Sequence, residues 1–204
     1  METHLDQQRL GVPLGSSAGP RPIGRDYFKL IGAVEYTRKM DDGAFPERWK
    51  ECDLFIMGVS RSGKTPLSIY LGQRGYKVAN LPLVYGLPFP KELYELDPRK
   101  VVGLTMEPKV LHEIRTNRMD EMGVGGAKTD YATLKKVRDE MLWVRELYAA
   151  NPGWLVLDAT YRSVEESAAR ILREMSDRFG DEHPLWAGEL SGEMLDLTSR
   201  SLAG

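Results

Sequence analysis

One cysteine, Cys52, stands among 204 residues, so no internal disulfide can form and a reducing compartment is expected. A lone thiol of this kind reads as a buried structural group rather than a nucleophile. Long apolar runs are missing as well. Nothing approaches the roughly 18 consecutive apolar residues of a membrane span, and the start METHLDQQRLGVPLGSSAGPRPIGRD has no apolar core of a secretory signal. No membrane partner is expected. Excess charge of one sign is absent: 28 basic against 30 acidic residues leave a net charge of -2, which offers no strong field to nucleic acid. Histidine is scarce, and His4, His112 and His183 form no ligand spacing, which leaves a zinc site without support. The nucleophile-elbow pattern G-x-S-x-G does not occur either. The expected location is the cytoplasm, with the chloroplast stroma as the alternative for a plant or algal chain.

What is present supports one α/β domain. A length of 204 residues with 42% hydrophobic content is enough for a single sizeable core. Residues 1–25 are rich in Gly, Pro and Ser from Gly11 to Gly24 and read as mobile. Folding is expected over 26–178, followed by a polar tail, 179–204, with Trp186 as its one large apolar group. FKLIGAVEYTRKMDDG, Phe28 to Gly43, reads as a short amphipathic helix with Phe28, Ile31, Val34 and Tyr36 as its stripe, ended by Asp41-Asp42-Gly43. Strands are expected at Asp53 to Met57, Tyr76 to Asn80, Lys100 to Thr105 and Gly153 to Asp158, the last as a continuous apolar run suited to a parallel sheet covered on both faces. Helices are expected from about Gly63 to Gln73 with Gly75 in a left-handed position after it, and from Pro108 to about Arg118. Another is expected from Tyr131 to Ala150 behind Asp130, and a last one follows the capping box Ser163-Val-Glu-Glu166. Ligands of such sheets gather at the carboxyl ends of the strands, so the residues after Met57, Asn80, Thr105 and Asp158 should lie near one another.

The chemistry is concentrated in GVSRSGKTPLS, Gly58 to Ser68, which satisfies G-x-x-x-x-G-K-[ST] in full. A strand precedes it and a helix follows, so backbone amides and the helix N-terminus would face phosphate oxygens. Gly58, Val59, Ser60, Arg61, Ser62 and Gly63 form the cradle. Within it, Arg61 is a possible second cation, and Ser60 and Ser62 carry less weight because serine is common in loops. Lys64 would bridge the terminal phosphates, and Thr65 would offer its hydroxyl to Mg2+. Asp158 ends the fourth strand, where such proteins often hold a carboxylate on a metal-bound water; a turn-forming aspartate is the equal alternative. Arg115 and Arg118 share a helix face opposite Val110, Leu111 and Ile114 and could steady a transferring phosphoryl group, or be a solvated face. Met119 to Thr129, with GVGGAK, reads either as a mobile lid or as an idle loop.

GVSRSGKTPLSIYLGQRGYKVANLPLV (Gly58 to Val84) resembles the nucleotide-binding segment of the pyruvate, phosphate dikinase regulatory protein family, which includes the phosphoenolpyruvate synthase regulators. FKLIGAVEYTRKMDDG, VVGLTMEPKVLHEIRTNR (Val101 to Arg118) and VEESAARIL (Val164 to Leu172) are similar to that family too. The resemblance implies a bifunctional enzyme. It would use ADP to phosphorylate a threonine near the catalytic phosphohistidine of a dikinase or synthase, and would reverse this with inorganic phosphate, releasing pyrophosphate. It further implies that Gly58 to Thr65 bind ADP, with Lys64 stabilising the transferred phosphoryl charge; Asp158 is the positional candidate for the base. Members usually carry a further amino-terminal domain ahead of the helix at Phe28, where this sequence has the segment 1–25, and target docking and homodimer formation hang on that difference. Two other readings remain: a small-molecule P-loop kinase using ATP, and a non-catalytic nucleotide-binding module.

Overall fold

The computed structural model describes residues 25–123, 131 and 133–180. Four parallel strands form one sheet in the order β2-β1-β3-β4: β1 is Leu54–Val59, β2 Val78–Leu83, β3 Val101–Thr105 and β4 Leu155–Asp158. Helices α1 (Arg25–Lys39), α2 (Lys64–Gly72), α3 (Pro108–Glu121), α4 (Leu134–Ala149) and α5 (Val164–Phe179) flank it. Two buried clusters cover the two sheet faces. One joins Tyr36, Met40, Trp49, Phe55 and Met57 to Leu111, Val137, Met141 and Val144 of α3 and α4. The other joins Leu54, Ile56 and Val102 to Leu67 and Leu71 of α2 and to Ala168, Ile171 and Met175 of α5. This is the expected parallel α/β arrangement.

Strand boundaries shift in ways that matter for the site. All six residues of β1 are buried, and the strand runs through Gly58 and Val59, so these two belong to the sheet rather than to the loop. β2 starts and ends later than expected, which places Asn80 in mid-strand; Pro82 is accommodated because β2 is an edge strand paired with β1 alone. β4 was expected to be covered on both faces. As the other edge strand it alternates instead, with Val156 43% exposed.

The stripe of α1 is corrected too. Phe28, Ile31 and Val34 point outward, whereas Ala33, Tyr36, Thr37 and Met40 are buried. The reason is close packing on α2: a Cβ on Gly72 would lie 2.9 Å from Thr37 Oγ1, so the small side chains of α1, not the large ones, fit that contact. The sequence between α3 and α4 also departs from expectation. α3 continues through Met119 to Glu121, Tyr131 lies ahead of α4, and the helix is preceded by Thr133 rather than Asp130. Residues 124–130, the segment 1–24 and the tail 181–204 with Trp186 lie outside the described residues, as do the expectations placed on them. Gly75 takes φ +90, and the capping box forms as expected: Ser163 Oγ accepts from Glu166 N at 3.1 Å and Glu166 Oε2 from Ser163 N at 3.0 Å.

Cys52 is buried, and burial pushes its thiol up to about 12. The folded chain should therefore resist a thiol-disulfide reagent at pH 8 and react stoichiometrically only when unfolded. Fast labelling of the native protein would contradict this burial.

Candidate functional site

The strand order reverses around β1: β2 lies on one side and β3 on the other. That is a topological switch point, and the crevice at the carboxyl ends of β1 and β3 is where a parallel sheet receives ligands. The β1–β3 register runs from Phe55–Val101 to Met57–Gly103 and stops there. Past that point the Tyr148 hydroxyl donates toward Met57 O at 3.2 Å and Leu104 O at 3.1 Å. Its ring fits only because residue 103 is glycine, for a Cβ there would lie 2.5 Å from Tyr148 Cζ. The phosphate loop leaves β1 where the strands part.

Loop geometry follows from a few residues. Arg61 takes φ +69 and Gly63 φ +89, bending the chain so that α2 starts at Lys64, and the unpaired amides of its first turn face the loop. A Cβ on Gly58 would lie 2.6 Å from Ser62 Oγ and 3.1 Å from Leu104 Cβ, so glycine keeps loop and β3 in contact. Ser62 is 1% exposed, and its hydroxyl is the one buried side-chain polar atom without a hydrogen-bond partner among the described residues. Lys64 is 6% exposed, and its Nζ donates to Val59 O at 3.1 Å. Burial pushes its pKa down, while the carboxylates of Asp42 and Asp41 act against that.

Those two aspartates were not marked as site residues by the sequence. They form the short turn Asp41–Gly43 after α1, and Asp42 takes φ +52. Thr65 Oγ1 donates to Asp41 Oδ1 at 3.0 Å. Asn80, fully buried, holds the turn in place: Asp42 N donates to Asn80 Oδ1 at 3.0 Å, Asn80 N donates to Met40 O at 3.1 Å, and Asn80 Nδ2 donates to Asp41 Oδ1 and to Ser68 Oγ. The only signal in the sequence was the acidic pair at a helix end, which reads equally as a capping turn.

The arginine pair separates. Arg115 lies on the same side of α3 as Leu111 and is 2% exposed, contrary to the face assigned to it. It donates to Ser60 O at 3.1 and 3.3 Å and to Tyr131 O at 3.2 Å, and it pairs with Glu140 at 2.7 Å. The Tyr131 ring lies 4.6 Å from its guanidinium, and the Tyr131 hydroxyl meets Ser60 Oγ at 2.9 Å. Arg115 thus braces the loop from behind. Arg118 instead pairs at the surface with Glu121 at 3.1 Å, away from the loop contacts of Arg115.

Asp158 lies on β4, separated from β1 by β3, hence about 10 Å of sheet away at the usual strand spacing. Its Oδ1 accepts from Thr160 N at 2.9 Å and Thr160 Oγ1 at 2.6 Å. Partial burial pushes its carboxyl up, but those hydrogen bonds and the charges of Arg162 and Arg145 outweigh this and hold it below its ordinary value. These bonds are those of a turn-forming aspartate. Among the described residues no group of three His, Cys, Asp or Glu could hold a metal by itself, and no helix is long and apolar enough to cross a membrane.

Sheet order, switch point, glycine loop and buried lysine define the class: a parallel α/β domain of the P-loop type. Within that class the chain belongs to the kinase/pyrophosphorylase family, whose model matches residues 2–172, beginning ahead of the first segment quoted for the resemblance. It is 44% identical over 179 residues to the chloroplastic pyruvate, phosphate dikinase regulatory protein 1 of Arabidopsis thaliana, covering 87% of this chain and 44% of that one. The chloroplastic pyruvate, phosphate dikinase regulatory protein of Zea mays is 41% identical over 176 residues, covering 86% of this chain and 41% of that one. A bacterial relative from Trichlorobacter lovleyi is 49% identical over 177 residues, or 84% of this chain and 65% of its own. The chain therefore spans about half the length of the curated relatives it matches.

Proposed function

We propose that this chain is a bifunctional regulator of a pyruvate, phosphate dikinase or phosphoenolpyruvate synthase, using ADP as phosphoryl donor and inorganic phosphate for reversal. The observation that carries the reading is the complete phosphate loop with Lys64 enclosed beneath it, in a chain of the kinase/pyrophosphorylase family. The names of the plant relatives supply the target class.

In the forward direction the target threonine oxygen bonds to the β-phosphorus of ADP. The bond to the α,β-bridging oxygen breaks, and AMP and a proton leave. In reverse an oxygen of inorganic phosphate bonds to the phosphothreonine phosphorus, the bond to the threonine oxygen breaks, threonine regains a proton, and pyrophosphate leaves. Both reactions pass a phosphoryl group through one place and ask for alignment and charge neutralisation more than covalent help. Loop amides and Lys64 would supply the neutralisation, and Arg115 would hold the loop still by gripping Ser60. Mg2+, when bound, would add charge on the phosphate oxygens.

The test supplies the purified chain with β-labelled ADP and a dikinase charged on its catalytic histidine. Label should appear on a dikinase threonine with an equal amount of AMP, and phosphate should then release it as pyrophosphate. No label on threonine, under conditions where a full-length relative succeeds, would remove the reading. A marked preference for ATP and a small acceptor would replace it with a small-molecule kinase.

A further inference from the structure

Phosphate-loop sites hold their divalent cation with the loop hydroxyl and one carboxylate, commonly supplied from the end of a later strand. Here the strand-end candidate, Asp158, turns its Oδ1 to Thr160 and lies on β4, with β3 between it and the strand that carries the loop. The carboxylate that touches the loop hydroxyl comes from the opposite direction in sequence, ahead of β1. Thr65 Oγ1 gives its hydrogen to Asp41 Oδ1 at 3.0 Å. A hydroxyl whose hydrogen is so engaged keeps its remaining lone pair capacity for a cation. Asp41 Oδ2 has no hydrogen-bond partner among the described residues, while Oδ1 is fixed by Thr65 and Asn80. Ser62 Oγ in the same loop is also buried and without a hydrogen-bond partner among the described residues, a polar group that a ligand's arrival could satisfy.

From this geometry we propose that Asp41 and Thr65 together form the protein part of a Mg2+-type site on the nucleotide phosphates, with Asn80 as the positioning residue that fixes the Asp41 carboxylate. The donors fit: a carboxylate and a hydroxyl are the hard oxygen ligands such a cation takes, with phosphates and waters completing the set. The proposal rests on the reading that the loop binds a nucleotide, because two protein oxygens alone make a weak cation site.

The test uses the full chain and its Asp41→Asn variant. ADP binding is followed by calorimetry in EDTA and in Mg2+, and Mn2+ binding in the presence of ADP by electron paramagnetic resonance. Asp41→Asn should bind metal-free ADP at least as tightly as the unaltered chain, since a negative charge near the phosphates has gone. It should lose about tenfold or more of the gain that metal confers and release the bound Mn2+ signal. If Asp41→Asn melts early, Asp41→Ser, which keeps an oxygen for Thr65 without the charge, takes its place, and Asp41→Glu should recover part of the Mn2+ signal.

The competing assignment expects that loss from Asp158→Asn instead. An Asp41 variant that keeps the full metal-dependent gain overturns the proposal, as does an unaltered chain whose nucleotide binding ignores metal. Running the series with ATP separates the two levels. Metal-dependent binding of ATP alone, lost in Asp41→Asn, would remove the ADP reading and leave the role of Asp41 standing, whereas binding of neither nucleotide would overturn both.

Discussion

Replacing Lys64 by alanine is expected to lower phosphoryl transfer by about 10²–10³-fold, the effect of removing one aligned charge donor from an enclosed site. Lys64 is nearly sealed from solvent, and its ammonium is held at Val59 O. A charge in such surroundings acts on a phosphoryl group with little screening. Most of the loss should fall on kcat, because negative charge builds on the α,β-bridging oxygen as its bond to the β-phosphorus breaks, beyond the charge the phosphates already carry when bound. Lys64→Arg should not restore it, since a planar guanidinium cannot occupy the place of a compact ammonium. Steady-state transfer from ADP to the charged dikinase measures this, and a loss below about threefold, well short of that donor effect, would remove Lys64 from the chemistry. The direction of its pKa adds a signature. Burial favours the neutral amine, and a bound phosphate favours the ammonium. ADP binding at alkaline pH should therefore take up protons, seen as an enthalpy that varies with the ionisation heat of the buffer.

The second large effect concerns stability. Arg115→Ala should destabilise the domain by about 3 kcal/mol, the lower end for breaking a buried ion pair, because Glu140 keeps partial exposure. At about 2–4 °C per kcal/mol for a chain of this size, the melting temperature should fall by about 6–12 °C. Nucleotide affinity should fall with it, since Ser60 O loses both guanidinium contacts. Arg118→Ala removes only a surface pair and should change stability by less than about 1 kcal/mol. Thermal melts of both variants with and without ADP provide the comparison, and equal effects of the two would contradict the asymmetry of the helix.

The phosphate loop was legible because its four fixed positions are local, and because the apolar run before it and the helix after it share one short stretch. The parallel sheet was legible from buried runs such as Leu54 to Met57. Strand ends were less so: Gly58 and Val59 continue β1 because β2 pairs with them through Pro82 and Leu83, a fact of neighbours rather than of residue preference. Arg115 and Arg118 looked alike because they are three apart on a helix of low amphipathicity. The positions of Ser60, Tyr131 and Glu140 of α4 decide which of them is covered. Asp41 was out of reach for a related reason. It meets Thr65 across 24 residues and Asn80 across 39, and no periodicity reports a contact made by a turn that folds back over an edge strand.

The loop draws its partners from almost every layer of the domain: the turn after α1, β1, α2, β2, α3, Tyr131 and α4. Opening α2, α3 or α4, or the turn after α1, takes away a group that shapes the loop. A nucleotide that binds only this assembled form would add about 2.7 kcal/mol at a hundred times its dissociation constant. That stabilisation would be shared across the fold rather than kept at the loop. In amide-exchange terms, the slowing on binding should extend over the described residues from Asp41 to Glu140 as one cooperative unit, which would make a nucleotide bound there a gauge of whether β1, β2 and β3 are in place.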